Sequence, residues 1–198
     1  MRVLVACEFS GIVRDAFIAA GHDAISCDLL PSERSGPHVE GDVLAYLAEA
    51  QQAFDLLIAH PPCTYLANSG VRWLYRNGRD EQRWAAMGDG ALFFRALLEA
   101  PIPRIAVENP VMHRHARELV GRRSDQCVQP WQFGHGEVKA TCWWLKGLPP
   151  LRPTEVVEGR LPRVHHAVPS PDRWKERSRT YPGMAAAMAD QWGSLPLE

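Results

Sequence analysis

A cysteine follows two consecutive prolines at Pro61-Pro62-Cys63, directly after the apolar segment FDLLIA. The prolines stiffen the backbone, and the end of a strand is a place where ligands bind in parallel sheets. A thiol with a lowered pKa at such a place is a candidate nucleophile, although most free cysteines are buried structural residues. The Pro-Pro setting favours Cys63 as the nucleophile, and we predict that the other four cysteines are structural.

A glutamate ends a later apolar segment, at Glu108-Asn109-Pro110. A carboxyl group there could protonate or hydrogen-bond a heterocyclic nitrogen, or it could cap the helix that follows. Because Cys63 is predicted at another strand end, we favour the interpretation that the two side chains act together.

Small and acidic residues follow the first two predicted strands. The turn Glu8-Phe9-Ser10-Gly11 precedes a predicted helix, where a glycine lets a ligand approach the backbone and a helix N-terminus favours negative charge. Asp28 follows the second strand at the spacing of an acid that binds ribose hydroxyls. Taken alone, each feature is better explained by a tight turn or by a solvated acid. Together, they favour a binding site for an adenosine-type cofactor. The complete G-x-G-x-x-G motif of dinucleotide sites is missing.

Positive charge is concentrated in the segment 139–179, which has nine Lys and Arg against four Asp and Glu. Basic side chains interleaved with aromatic ones suit a nucleic-acid backbone and unstacked bases, although a solvated loop has the same composition. The remainder of the chain is acidic, with thirteen Lys and Arg against nineteen Asp and Glu, and this segregation favours a phosphate-facing surface. The candidate nucleic-acid-binding residues are Arg160, Arg163, Arg173, Lys175 and Arg177.

Strands and helices are predicted to alternate. Strands are expected at 2–7, 24–27, 54–59, 105–107, 127–133 and 141–145, and helices at 12–20, 41–52, 81–99, 113–120 and 182–192. Residues 29–37 are predicted to be a loop, and residues 148–180 show no clear period. This order predicts an α/β fold with a mostly parallel sheet and helices on both faces. The polar clusters would then converge at the carboxyl edge of the sheet.

Composition limits the classes of protein to which the chain can belong. The 198 residues suit one domain, 1–198, and a net charge of −1 argues against a strongly basic nucleic-acid binder. No apolar run approaches the ~18 residues that span a bilayer, and no signal peptide is recognisable, so we expect a cytoplasmic protein without membrane contact. Five irregularly spaced cysteines argue against a disulfide framework. The His and Cys spacings fit no usual zinc pattern, so no metal site is predicted.

The motifs and their order resemble the DNA (cytosine-5)-methyltransferases, of the compact kind found in phage and prophage genomes. Seven segments carry this resemblance: Phe9-Ser10-Gly11 for the F-x-G-x-G cofactor loop, Asp28 for the acid after strand two, Gly41-Asp42-Val43 for the G-D-I element, Pro61-Pro62-Cys63 for the P-C-Q loop, Glu108-Asn109-Pro110 for the E-N-V element, Phe133-Gly134 with Glu137, Lys139 and Thr141 for the Y-G-x-P-Q-x-R-x-R element, and Tyr181-Pro182-Gly183 for the terminal motif.

The resemblance implies a Rossmann-like, S-adenosylmethionine-dependent methyltransferase fold and a methyl transfer to C5 of cytosine in DNA. The implied catalytic residues are Cys63, which adds covalently to the ring, Glu108, and Lys139 in place of an arginine. The implied cofactor-binding residues are Phe9, Ser10, Gly11, Asp28, Asp42 and Pro61.

The chain departs from the family at several positions. Val13, Thr64 and Thr141 replace a glycine, a glutamine and an arginine of its motifs, and a basic segment rich in Pro, Arg and His, 148–180, stands in place of a target-recognition domain. Sequence readout would then come from this segment, a partner chain or a homodimer. Three alternatives stay open: modification of a free pyrimidine nucleotide or single-stranded DNA, use of a modified methyl donor, and a catalytically inactive DNA-binding homologue. The D/N-P-P-Y/W loop of amino-methyltransferases fits less well.

Overall fold

Strands and helices alternate along residues 1–50, 54–166 and 168–196, which the computed structural model of the protein describes. The strands are β1 (Arg2–Ala6), β2 (Asp23–Asp28), β3 (His38–Glu40), β4 (Leu56–Ala59), β5 (Arg104–Asn109), β6 (Gln126–Val128) and β7 (Thr141–Lys146). The helices are α1 (Ile12–Ala19), α2 (Val43–Glu49), α3 (Glu81–Leu98), α4 (Arg114–Val120), α5 (Arg163–His166), α6 (Arg173–Ser178) and α7 (Pro182–Gly193). Two 3₁₀ helices cover Asn68–Tyr75 and Pro130–Gln132.

The strands form one sheet in the order β3-β2-β1-β4-β5-β7-β6. The first five strands in this order are parallel, and β7 runs antiparallel to both β5 and β6. Ala6 pairs with Cys27 and Ala59, and Ala59 pairs with Val107, so the carboxyl ends of β1, β2, β4 and β5 are level. This register brings the polar residues that follow these strands to one edge.

Two hydrophobic cores lie on opposite faces of the sheet, because successive side chains of a strand point to opposite sides. On one face, strand residues such as Leu57 and Ile105 belong to a core with Phe94 and Leu97 of α3. On the other face, strand residues such as Ile58 and Ala106 belong to a core with residues of α1 and α7, including Phe17 and Trp192. The predicted α/β fold with a mostly parallel sheet and helices on both faces is confirmed.

Local signals explain where several helices begin and end. Asp80 caps α3 by accepting a hydrogen bond from the amide of Arg83 at 3.1 Å. Gly121 ends α4 in the left-handed region, at φ 76°, which glycine adopts without a Cβ penalty. Pro182 begins α7, where its missing amide hydrogen has no consequence.

Several predicted boundaries are wrong. The predicted strand over 127–133 ends at Val128, because Pro130 cannot donate to a sheet and begins a 3₁₀ turn. The short strand β3 follows the predicted loop 29–37 and is stabilised by pairing with β2, which local sequence does not reveal. Helix α2 ends at Glu49, and the predicted extension to Gln52 lies outside the described residues. Two short helices, α5 and α6, form in the segment without a clear period.

Candidate active site

A cleft of about 1170 Å³ opens at the carboxyl edge of the sheet. Ten of the predicted site residues line it: Phe9, Ser10, Asp28, Asp42, Pro61, Cys63, Glu108, Lys139, Arg173 and Arg177. Four predicted site residues are not among its lining: Gly11, Arg160, Arg163 and Lys175. The convergence of the strand ends therefore assembles the predicted catalytic residues and most of the predicted cofactor residues in one place.

Glu8, which was not among the candidate residues, organises the turn between β1 and α1. Its buried carboxylate accepts hydrogen bonds from the amide of Val13 at 2.6 Å, the amide of Arg14 at 3.2 Å and Oγ of Ser10 at 3.2 Å. The amides of Val13 and Arg14 belong to the first helical turn, where amides have no partner within the helix. The negative charge that this helix N-terminus favours is thus supplied by the chain itself. An acid just before a predicted helix is the sequence signal for this role.

Gly11 serves the packing of an arginine rather than the approach of a ligand. Its φ is 70°, and a Cβ added there would lie 2.5 Å from Nη2 of Arg14. A Cβ at Gly36 would likewise lie 2.8 Å from the same guanidinium. The fully buried Arg14 donates hydrogen bonds to Ser26, Ser32, Arg34, Ser35 and Pro37. Arg14 therefore ties the loop after β2 to α1, a role with no signal in the local sequence pattern.

Two acids line the cleft: Asp28 lies at the end of β2, and Asp42 lies directly before α2. Asp28 accepts a hydrogen bond from the amide of Leu30 at 3.0 Å, and burial raises the pKa of its carboxyl above the usual value. Asp42 caps α2 by accepting from the amides of Leu44 and Ala45 at 2.8 and 2.9 Å. Asp42 is thus both a helix cap and part of the cleft wall.

The thiol of Cys63 lies in the cleft, but its pKa is raised, which corrects the expectation of a lowered one. Burial removes water that would stabilise the thiolate, and the negative charge of Glu108 acts in the same direction. The positive charges of Lys139 and Arg177 oppose this effect without reversing it. The sequence showed the strand end but not the depth of burial or the neighbouring carboxylate. In the free protein Cys63 is a protonated thiol at neutral pH.

Glu108 forms a buried pair with His60, a residue that sequence reasoning did not select. Nδ1 of His60 lies 3.0 Å from Oε2 of Glu108, and the two side chains are 8% and 12% exposed. Burial acts to raise the pKa of Glu108, but the hydrogen bond from His60 and the charge of Lys139 outweigh it, so the pKa is lowered. The signal for His60 was its place directly before Pro61-Pro62-Cys63, at the end of β4.

Lys139 reaches the same part of the cleft from the segment before β7. Its Nζ donates to the backbone oxygen of Arg179 at 3.3 Å and lies 5.9 Å from the ring centre of Tyr181. A cavity of about 10 Å³ lies beside it, between Glu108 and Tyr181. The structure thus brings Cys63, Glu108 and Lys139 together, as the resemblance implies.

Helix α6 packs over the turn between β1 and α1, which is the predicted cofactor loop. The ring of Trp174 contacts the ring of Phe9, with centres 5.8 Å apart. Just after this helix, Arg179 donates two hydrogen bonds to the carboxylate of Glu33, at 2.9 and 2.7 Å. These contacts hold Arg173 and Arg177 on the wall of the cleft.

The other three predicted nucleic-acid-binding residues have partners elsewhere. The guanidinium of Arg160 lies 3.8 Å from the ring centre of Trp131, that of Arg163 lies 3.5 Å from Glu137, and Nζ of Lys175 lies 3.7 Å from Asp172. The structure does not bring these three side chains to the cleft.

A second basic wall, which sequence reasoning missed, comes from Asn68–Tyr75 and the start of α3. Arg72, Trp73 and Arg83 line the cleft there, and the guanidinium of Arg72 lies 4.7 Å from the ring centre of Trp73. Among the described residues, Nε of Arg83 and Nε of Arg173 are buried without a hydrogen-bond partner. An Arg-x-x-x-Arg spacing around Trp73 (Arg72 and Arg76) was the available signal.

All five cysteines are free thiols. Cys7 and Cys27 also line the cleft, and burial raises the pKa of both, that of Cys27 to about 11. Cys127 pairs across the strands with Cys142, whose hydrogen bond lowers the pKa of Cys127 to about 7. Within the described ranges, no group of three or more His, Cys, Asp or Glu could hold a metal ion. No helix in that part of the chain has the length and apolarity to cross a bilayer.

The solved structures that resemble this chain include methyltransferases. A candidate DNA modification methyltransferase encoded within a prophage of E. coli is similar with a TM-score of 0.51 and 15% identity, over 86% of this chain and 56% of that one. An Entamoeba histolytica methyltransferase has a TM-score of 0.44 and 12% identity, over 80% and 57% of the two chains. An S. pombe Dnmt2 methyltransferase has a TM-score of 0.41 and 14% identity, over 84% and 53%. No protein-family model and no curated protein sequence matches the chain.

The chain spans little more than half the length of these structural relatives. At such low identity the similarity concerns the fold, and it agrees with the fold that the motifs imply. The chain therefore has the Rossmann-like fold of the methyltransferases, with a DNA modification methyltransferase among its structural relatives.

Proposed function

We propose that the protein transfers a methyl group from S-adenosylmethionine to C5 of cytosine in DNA, through a covalent adduct on Cys63. The observation that carries this proposal is the position of Cys63 and Glu108, which follow or end the adjacent strands β4 and β5 and face one cleft beside Lys139. A nucleophile and a carboxyl group on one side of a pyrimidine ring are what addition to that ring requires.

The other end of the cleft suits S-adenosylmethionine. Its wall carries the carboxylates of Glu8, Asp28 and Asp42, and the buried ring of Phe9 lies beside them. Acids complement the positive sulfonium and ammonium groups of this cofactor, and Asp28 ends β2, where it can accept hydrogen bonds from ribose hydroxyls. The cofactor supplies an electrophilic methyl group when it is bound.

The chain's own residues supply the activation of the base. As the sulfur of Cys63 bonds to C6, the carboxylate of Glu108 accepts the thiol proton and passes it to N3, where negative charge develops in the ring. C5 then takes the methyl group, and loss of the C5 proton, of the N3 proton and of Cys63 restores the aromatic ring. Because the pKa of Cys63 is raised, the positive charges of Lys139 and Arg177 matter for forming the thiolate.

A base in a duplex must leave the stack to reach this cleft. Arg72, Trp73 and Arg83 on one wall, and Arg173 and Arg177 on the other, offer positive and aromatic groups to the strand that carries it. These five residues are the proposed nucleic-acid contacts at the site.

A second candidate function is modification of single-stranded DNA or of a free pyrimidine nucleotide. The observation in its favour is that the segment 148–180 contains only the short helices α5 and α6 among its described residues. Helix α6 is used to cover the cofactor loop, which leaves little structure for reading a duplex. A homodimer or a partner chain would otherwise have to supply that readout.

Covalent capture tests the central proposal. An oligonucleotide containing 5-fluorocytosine blocks release of Cys63, so we expect a cofactor-dependent adduct that survives denaturation. The Cys63→Ala variant should form none, while Cys127→Ala, which removes an exposed thiol outside the cleft, should react normally. Cofactor binding without an adduct would instead indicate an inactive DNA-binding homologue.

Competition identifies the substrate. Tritium transfer from labelled cofactor is measured with duplex, single-stranded and mononucleotide substrates in the same reaction. Preference for a duplex supports the first proposal, and preference for single strands or for the nucleotide supports the second. Methylation of cytosine by the Cys63→Ala variant would overturn the covalent mechanism in both.

A further inference from the structure

His60 occupies a defined place beside the catalytic carboxyl group. It follows β4 directly, and its amide donates to the backbone oxygen of Ala6 at 2.9 Å, so its backbone continues the sheet pairing. Glu108 lies on the adjacent strand β5. The two side chains meet with Nδ1 of His60 3.0 Å from Oε2 of Glu108.

The ring of His60 is held from a second side by Trp143. The two ring centres are 5.9 Å apart with an interplanar angle of 74°, an edge-to-face contact. Trp143 is fully buried on β7. The hydrogen bond and the aromatic contact together limit how the imidazole can turn.

The hydrogen bond identifies the protonated nitrogen. An ionised carboxylate only accepts hydrogen bonds, so Nδ1 of His60 carries the hydrogen that is donated to Oε2. The other nitrogen, Nε2, is buried and has no partner in the described part of the chain. No described residue hydrogen-bonds Oε1 of Glu108, so this oxygen is available to a substrate.

We propose that His60 is a positioning residue for Glu108, which orients Oε1 towards the substrate ring and stabilises the carboxylate that remains after its proton has moved to N3. The inference rests on the proposed function for the identity of the substrate ring. In the step itself, the S–H bond of Cys63 breaks as its sulfur bonds to C6, and the carboxylate of Glu108 accepts this proton at Oε1 and passes it to N3. Glu108 is then a carboxylate again, and its negative charge is shared with the N–H of His60.

The groups around Glu108 support this positioning role for His60. The titratable groups that face it are His60, Lys139, Cys63 and Cys142. Burial raises the pKa of Glu108, and His60 and Lys139 reverse that effect. Both thiols have raised pKa values and are neutral at pH 7 in the free protein, so neither places a negative charge beside Glu108. His60 is the only one of these groups whose hydrogen bond to Glu108 is present in the described residues.

Two substitutions at this position separate the hydrogen bond from packing. His60→Phe keeps a ring against Trp143 but removes the N–H, whereas His60→Asn keeps an N–H near the place of Nδ1 and loses the ring. If His60 positions Glu108, His60→Phe lowers kcat for methyl transfer by about tenfold or more, the factor that one hydrogen bond to a charged group can supply. His60→Asn should retain most of the activity.

The ionisation of Glu108 gives a readout that does not depend on catalysis. In protein labelled with ¹³C at the glutamate carboxyl carbons, the signal of Glu108 is identified by its loss in Glu108→Gln and is titrated by NMR. We expect its pKa to rise by about one unit or more in His60→Phe and to change little in His60→Asn. The acidic limb of the kcat–pH profile should move upward in parallel.

The outcomes are distinct. An unchanged Glu108 titration in His60→Phe, or an active His60→Phe beside an inactive His60→Asn, would overturn the inference and assign His60 a packing role. If the wild-type protein methylates no nucleic acid at any pH, the proposed function fails. The NMR titration would then still decide whether His60 controls the acidity of Glu108.

Discussion

Replacement of Arg14 by methionine tests whether a buried guanidinium builds the cofactor side of the cleft. Arg14 is fully buried and donates to five oxygen atoms in β2 and the loop that follows it. That loop begins at Leu29 and Leu30, which line the cleft. The substitution keeps an aliphatic stem on α1 and removes every one of these hydrogen bonds.

The expected loss of stability follows from which acceptors stay buried. Hydrogen bonds to charged groups contribute about 1.5–3 kcal/mol each. Most of the acceptors belong to exposed loop residues that water can reach, but the hydroxyl of Ser26 is fully buried. If one hydrogen bond is lost fully and the others are lost in part, we expect the free energy of unfolding to fall by about 3 kcal/mol. For a chain of 198 residues this corresponds to a fall in Tm of about 6–12 °C.

Thermal unfolding and calorimetric titration with S-adenosylmethionine measure the two consequences. Because a bound cofactor would have to reorder the loop, its Kd should rise by about tenfold, equivalent to about 1.4 kcal/mol. Arg34→Met is the matched control, since this exposed arginine lies on the same loop and should change stability by no more than about 0.5 kcal/mol. An Arg14→Met protein with the same Tm and cofactor affinity as wild type would show that Arg14 does not hold this loop in place.

Three further predictions concern the thiols and the glycines. Iodoacetamide should label Cys127 before Cys63 in the free protein, as mapped by mass spectrometry, because the pKa of Cys127 is lowered to about 7 and that of Cys63 is raised; faster labelling of Cys63 would contradict this. In Lys139→Gln, the pH at which alkylation of Cys63 reaches half its maximal rate should move upward, because a positive charge that lowers the pKa of Cys63 is removed. A downward shift would contradict this effect of Lys139. Gly183→Ala should cost about 1–3 kcal/mol by denaturant unfolding, because its Cβ would lie 1.9 Å from a backbone oxygen, while Gly88→Ala in open space should cost nothing; equal stabilities would disprove the steric argument.

Much of the fold could be predicted because the periodicity of apolar residues and the order of the predicted strands and helices can be read from neighbouring residues in the chain. The apolar segments at β1, β4 and β5 are buried strands, and the helix between β4 and β5 has the predicted length to within one residue. The weakest predictions concerned elements that depend on a partner. Strand β3 is stabilised by pairing with β2, and helix α6 of the basic segment packs on Phe9, which is far away in the sequence.

The positions of the proposed catalytic residues were predictable for a similar reason, and the protonation state of the thiol was not. Cys63 and Glu108 lie at strand ends, and parallel strands bring such ends to one edge. The pKa of Cys63 depends on burial and on the charge of Glu108, neither of which has a local signal. Arg14 and His60 were missed because each acts through a contact between separate elements.

The alternation of strands and helices, the order of the motifs and the residue types at the strand ends can be read from the amino-acid sequence, because they depend on neighbours along the chain. The tertiary arrangement is needed to know which of the predicted basic residues face the cleft, why position 11 is a glycine, and whether the Cys63 thiol is ionised. Arg160 and Arg173 are equally basic in the sequence, but Arg160 packs on Trp131 and Arg173 faces the cleft. Burial and electrostatic coupling arise from the three-dimensional arrangement of groups that are distant in the chain, and for this reason no local pattern reports them.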